Sequence, residues 1–124
     1  MNRQELFDHI FLEYNVEPDY PFPGDEKSCV FRHRDNRKWF ALVMSVPCRT
    51  LGIVREGNID ILNLKCDPLL IGSFRVKSGF LPAYHMNKDN WITILLDNVP
   101  RKEEIEGILA MSFELTGGKN LRHG

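Results

Sequence analysis

A chain of 124 residues is one domain's worth, long enough to bury a core without disulfide staples. Its 43% hydrophobic and 27% charged residues are those of an ordinary globular protein, and no apolar run approaches the roughly 20 residues of a membrane span. The formal net charge of −1 excludes a strongly basic protein. The three cysteines, Cys29, Cys48 and Cys66, are an odd number at wide spacings, which argues for reduced thiols over a disulfide framework. The N-terminus, from Met1 to Asp8, lacks the apolar core and small-residue cleavage site of a signal peptide, so a cytoplasmic location is expected.

Asn2 followed by Glu5 has the spacing of a capping box. Leu6, Phe7, Ile10, Phe11 and Tyr14 then recur at helical spacing, which predicts an amphipathic helix over 3–14 with its aromatic stripe in the core. Pro18, Pro21, Pro23 and Gly24 cannot continue it and predict an extended connection. Cys29–Arg34 and Arg37–Met44 are β-rich runs around Asp35-Asn36, a hairpin signature. Ile59–Lys65 alternates near its end and predicts a strand. Asp67-Pro68 opens a short helix packed through Leu69, Leu70, Ile71 and Phe74 and ended by Gly79. The stretch from Gly79 to Lys88 reads as a polar, aromatic loop delivered onto a buried strand, Trp91–Leu96. After a turn at Asp97–Pro100, Ile105, Ile108, Leu109, Ser112 and Phe113 mark one face of a last helix, stopped by Gly117-Gly118, with a frayed tail over 118–124. Helices interrupting strands without regular βα alternation indicate a single α+β domain over 1–124, an antiparallel sheet with helices packed on one face.

Charge is unevenly distributed. Residues 1–26 hold Glu5, Asp8, Glu13, Glu17, Asp19, Asp25 and Glu26 against Arg3, whereas 28–55 hold Arg32, Arg34, Arg37, Lys38, Arg49 and Arg55 against Asp35. Arg32, Arg34, Arg37 and Lys38 at the hairpin are a candidate phosphate-binding group, weighed against a solvated edge that discourages aggregation. The cysteines form no Cys-x-x-Cys pair and His9, His33, His85 and His123 no close pair, so neither a metal nor a cofactor is expected. Cys66 at a helix start, with His85, is the one nucleophile pairing to consider, but the Asp67 carboxylate beside it opposes thiolate formation. Gly117-Gly118-Lys119 follows a helix where a phosphate-binding loop must precede one. No catalytic constellation emerges, and a non-enzymatic protein is expected.

The strings Asn63-Leu64-Lys65-Cys66-Asp67-Pro68 and Pro82-Ala83-Tyr84-His85-Met86-Asn87-Lys88, with Trp91 three residues on, resemble the MmcQ/YjbR family. Pro21–Glu26, Trp39-Phe40-Ala41 and the helix Glu103–Leu115 resemble it too, so the likeness covers nearly the whole chain. Where a histidine commonly precedes the tryptophan, this chain has Asn90, so a role resting on that imidazole does not carry over. The resemblance implies a frataxin-like α+β fold in a small bacterial cytoplasmic protein. It also carries a DNA-binding, "double wing" label, itself a fold-level inference.

Two functions follow as expectations. One is weak DNA binding through Arg32, Arg34, Arg37 and Lys38. The alternative is an adaptor for a protein or a small anionic ligand, with Asn63, Lys65, Tyr84, His85, Asn87, Lys88 and Trp91 as the site and Lys88 as the anion anchor. No membrane partner is expected, and the state expected is a monomer. Short connections further predict that Ile59–Lys65 and Trp91–Leu96 are sheet neighbours. The loop between them should then be tied down by hydrogen bonds, with Tyr84 and Asn87 structural and Lys65, His85 and Lys88 free to meet a ligand.

Overall fold

The computed structural model describes residues 1–97 and 100–117; Asn98-Val99, inside the predicted turn at Asp97–Pro100, and the predicted tail over 118–124 lie outside them. Helix α1 spans Arg3–Tyr14, and its start is the expected capping box. The Asn2 side chain accepts from the Glu5 amide at 2.8 Å while the Glu5 carboxylate accepts from the Asn2 amide at 2.9 Å. Asn15, in the left-handed region at φ 55°, ends the helix, a conformation asparagine tolerates better than most residues. Leu6 and Ile10 are fully buried and Phe7 and Tyr14 pack beside them, but Phe11 is 50% exposed. The expected stripe is thus one residue too wide, because a helix lying on a sheet buries only a narrow seam.

Strands β1 (Cys29–Arg32), β2 (Trp39–Pro47), β3 (Asn58–Lys65), β4 (Phe80–Pro82) and β5 (Trp91–Leu95) form an antiparallel sheet in the order β1-β2-β3-β5-β4. A 3-10 turn at Cys48–Leu51 follows β2. Leu62 faces Ile94 and Asn63 faces Thr93 across β3 and β5, so those strands are neighbours as expected and β5 lies inside the sheet. β4 falls where the sequence predicts loop. Three residues ended by Pro82, which lacks a backbone donor, are too short to show a period, yet they pair with Ile92–Ile94 at the sheet edge.

The β1–β2 hairpin turn is longer than Asp35-Asn36 alone. The strands part after Arg32 and rejoin at Trp39, with Arg37 at φ 63°. Two forces shape the turn: the His33 ring is drawn into the core, and the Asn36 side chain donates to the Thr116 carbonyl at 3.0 Å. The pairing steps from Phe31↔Ala41 to Arg32↔Trp39, so Phe40 is the extra residue of a β-bulge.

Helix α2 (Pro68–Arg75) starts as expected, Asp67 accepting the Leu69 amide at 2.9 Å. It stops at Arg75, a turn before Gly79, and buries only Ile71. Leu69 is 89% exposed and Leu70 is also exposed, because so short a helix at the sheet's end presents little more than Ile71 and Phe74 inward. Helix α3 spans Lys102–Thr116 and buries Ile105, Ile108, Leu109, Ser112 and Thr116. The three helices share one face of the sheet, and their apolar residues join Phe31, Phe40, Val43, Leu62, Leu64, Ile92 and Ile94 in a continuous core. Fully burying each such side chain contributes roughly 1.5–3 kcal/mol. Among the described residues no helix is long and apolar enough to cross a membrane.

Candidate ligand-binding site

Strand alternation sends Leu42, Met44 and Val46 of β2, Ile59, Ile61, Asn63 and Lys65 of β3 and Trp91, Thr93 and Leu95 of β5 to the face away from the helices. Among the described residues no α-helix covers that face. The segment after β2 does so at one end, where Cys48, Leu51 and Ile53 cluster with Val46, Ile59 and Ile61. The loop 83–88 covers the middle, and the segment before β1 closes the far side, Phe22 meeting Trp39 edge-on at 6.0 Å.

The middle loop is held by a buried cross-strand pair. Thr93 donates its hydroxyl proton to Asn63 Oδ1 and accepts the Tyr84 amide at 2.8 Å, while Asn63 Nδ2 donates to the Tyr84 carbonyl at 3.0 Å. Both backbone groups of Tyr84 are therefore satisfied by side chains, at a place where unsatisfied ones would cost about 1–3 kcal/mol each. Arg75 donates to the Lys88 carbonyl at 2.7 Å, Asn87 Oδ1 accepts the Asp89 amide at 2.8 Å, and the Asn87 carbonyl accepts the Trp91 amide at 3.0 Å. Asn63, Tyr84 and Asn87 thus work as structural groups, as expected for the last two. Lys88, expected to meet a ligand, donates from its ammonium to the Ala83 carbonyl at 3.0 Å.

Lys65 donates its amide to the Ser112 hydroxyl at 2.9 Å and sits opposite Trp91 in the ladder. This anchored frame sets His85 in the left-handed region at φ 60°, exposed, with its ring stacked on Tyr84 at 4.1 Å and 11°. Histidine enters that region more readily than most residues, but it is still unfavourable there, and tertiary contacts must hold it.

Between His85-Met86 and the segment 22–28 lies a cavity of about 350 Å³. Trp39, Leu42 and Met44 form its floor, Phe22 and Met86 its apolar sides, and His85, Asp25 and Ser28 its polar edge. Asp25 Oδ1 accepts the amides of Lys27 at 2.9 Å and Ser28 at 3.0 Å. The Ser28 hydroxyl, with the Lys27 amide, holds the Asp25 carboxyl below the usual carboxylate range. The cavity therefore combines an apolar floor, a stacked imidazole and an ionised carboxylate. Of the expected site residues only His85 lines it; Asn63, Tyr84, Asn87 and Lys88 build its rim from behind, and Lys65 and Trp91 stand outside its lining. The residues that sequence reasoning missed are Phe22, Asp25, Ser28, Trp39, Leu42 and Met44; Met86 belongs to the loop Pro82–Lys88 expected to carry the site. Alternation along β2 is the one local signal that could have paired Leu42 with Met44.

The hairpin cations are not equivalent. Arg32 pairs with Asp19 at 2.8 Å and lies 5.7 Å from the centre of the Trp39 ring, so its charge is committed. Arg34, Arg37 and Lys38 are exposed. Arg34 and Arg37, with Arg32, line a second cleft of about 530 Å³ that also contains Glu17 and Asp19. The Cys66–His85 pairing does not form. Cys66 is buried in the helix-side core whereas His85 lies on the other face, and burial, then the Asp67 charge, pushes the Cys66 thiol up.

Comparison with known proteins places the chain. The YjbR family model matches residues 13–115. The uncharacterized protein YyaQ of Bacillus subtilis is 39% identical over 116 residues, covering 94% of this chain and 98% of that protein. A crystal structure of a Pseudomonas syringae protein superposes with a TM-score of 0.92 at 44% identity, covering 94% of this chain and all of that one. A Deinococcus radiodurans protein with a DUF419 domain, at 24% identity and a TM-score of 0.72 over 96% of this chain and 80% of its own, shares the fold. The five-stranded sheet with its helices on one side is thus a YjbR-type fold. The chain is a member of the YjbR family.

Proposed function

We propose that this YjbR domain is a non-catalytic binding domain that takes a small, largely apolar ligand in the cavity under the His85 loop. The observation that carries the reading is a concave, preformed site between two anchored segments. At about 350 Å³ it falls at the small end of the usual pocket range of about 300–1,000 Å³, which favours a small molecule over a protein partner. The buried Asn63–Thr93–Tyr84 bonds fix the rim in advance, so little ordering cost falls on binding. Amide chemical-shift titration with indole and naphthalene probes tests the reading. Shifts confined to 22–28, 39–44 and 85–86 are expected, and a Met44→Phe variant, which narrows the cavity, should suppress them. Absence of shifts at millimolar probe, or shifts centred elsewhere, would overturn it.

One observation supports a second reading, weak DNA binding: Arg34, Arg37 and Lys38 are all exposed at the hairpin turn. Arg32 does not join them, since Asp19 holds it, and Glu17 and Asp19 lie in the cleft beside them. A duplex titration at low ionic strength should show affinity that falls steeply with salt, with a shallower slope in an Arg37→Glu, Lys38→Glu variant. Salt-independent binding, or none at micromolar protein, would remove this reading.

A further inference from the structure

Resting on the cavity reading above, we infer that the ligand is a cation: an amine or amidine carried on an aromatic or apolar body, its charge at Asp25 and its ring against Trp39 and Phe22. Three features of the site point there together. Asp25 is the one acid among the described lining residues, and no Lys or Arg is among them. Its carboxylate is oriented in advance: one oxygen takes two backbone amides and Ser28 braces it through its hydroxyl, which leaves acceptor capacity for a further donor.

The walls are the second feature. Trp39 and Phe22 meet edge-on at 6.0 Å, and an indole face is the strongest aromatic partner for a cation. The Arg32 guanidinium lies 5.7 Å from the centre of that ring, its charge balanced by Asp19. The thioethers of Met44 and Met86 add soft, adaptable contact for the apolar body.

The third feature is what surrounds the site. Of the nearby bases, Arg32 pairs with Asp19, Arg3 with Asp60 at 2.9 Å and Lys88 with the Ala83 carbonyl; Arg3 also helps to hold Asp25 ionised, and exposed Lys27 lies two residues from it in the chain. The group expected to anchor an anion is therefore engaged, and the charged group that does edge the cavity has the opposite sign.

Three probes sharing one ring system test the inference: naphthylmethylammonium, naphthylmethanol and naphthoate, their affinities measured at neutral pH by amide-shift titration. The ammonium should bind about tenfold tighter than the alcohol, the combined effect of an exposed ion pair and one cation–aromatic contact, with the carboxylate weakest. Asp25→Asn keeps an oxygen for the Lys27 and Ser28 amides, so the fold should survive, which a thermal melt verifies. In that variant the ammonium and the alcohol should bind alike. Equal affinity of all three probes for the native domain overturns the charge assignment and leaves the cavity reading standing. Tightest binding of naphthoate also overturns it. Binding of none of them defeats the cavity reading and this inference with it.

Discussion

The two faces of the sheet are built from the same strands, yet they are closed by different physics. On the helix side Phe31, Phe40, Leu62, Leu64, Ile92, Ile94, Ile105 and Leu109 are fully buried and meet in one continuous cluster. Helices satisfy their own backbone, so they can lay apolar stripes on a sheet and leave no gap. On the other side the covering segments are loops, whose amides need partners; hence the buried Asn63–Thr93 pair and its bonds to Tyr84. A face closed by discrete hydrogen bonds need not be filled everywhere, and the cavity is what is left over. Stability lies in one face, and room for a ligand in the other.

That contrast can be broken most severely at Ile94. Ile94→Asp would place an unpaired carboxylate in the helix-side core, and the cooperative thermal transition followed by circular dichroism should disappear. A melt like that of the native protein would show that β5 does not hold the core together. The matching change on the loop side is Thr93→Val. It leaves the Tyr84 amide and Asn63 Oδ1 without their partner and should cost about 1–3 kcal/mol in denaturant unfolding. Amide exchange should quicken at Tyr84 while Leu62 and Ile94 stay protected. Equal loosening on both sides would mean that the faces are not separable.

A milder probe of the helix side is pH. The His33 ring is buried against Phe40 and Phe113, its Nε2 is 2.8 Å from the Thr116 hydroxyl, and burial pushes its pKa below the ordinary 6.5. Asp35 acts in the opposite direction and Lys38 in the same one. In the window below 6.5 the unfolded chain takes up a proton that the folded chain refuses, so stability should decline as pH falls from 6.5 through the lower folded value. Denaturant midpoints measured across that range should show the decline, and His33→Gln should flatten it. A native midpoint that rises on acidification would refute the assignment.

The smallest effect is expected at the cavity lip. His85→Gly relieves the positive φ but loses the stack on Tyr84, and the two nearly offset, leaving stability within about 1 kcal/mol of native. Loss of several kcal/mol would make His85 a structural residue.

Local signals carried the fold a long way. Asn2 with Glu5 and Asp67 with Pro68 announce helix starts because caps are made by neighbours in the chain. The adjacency of β3 and β5 follows from how little chain joins them. β4 escaped because three residues cannot show a period. The cavity was not legible because it forms only where 22–28 meets 85–86, more than fifty residues away in the chain. The pairing of Arg32 was not legible for a similar reason, since its partner Asp19 lies 13 residues upstream.

The bulge at Phe40 has a further consequence. Ala41 and Val43 face the helices, so an unbroken strand would turn Trp39 toward the helices with them and Phe40 away. One extra residue exchanges the two, sending Phe40 into the core and Trp39 to the floor of the cavity. Both sides of the sheet thus hang on the same insertion. Removing a single residue between Trp39 and Ala41 would unmake the core and the cavity in one step.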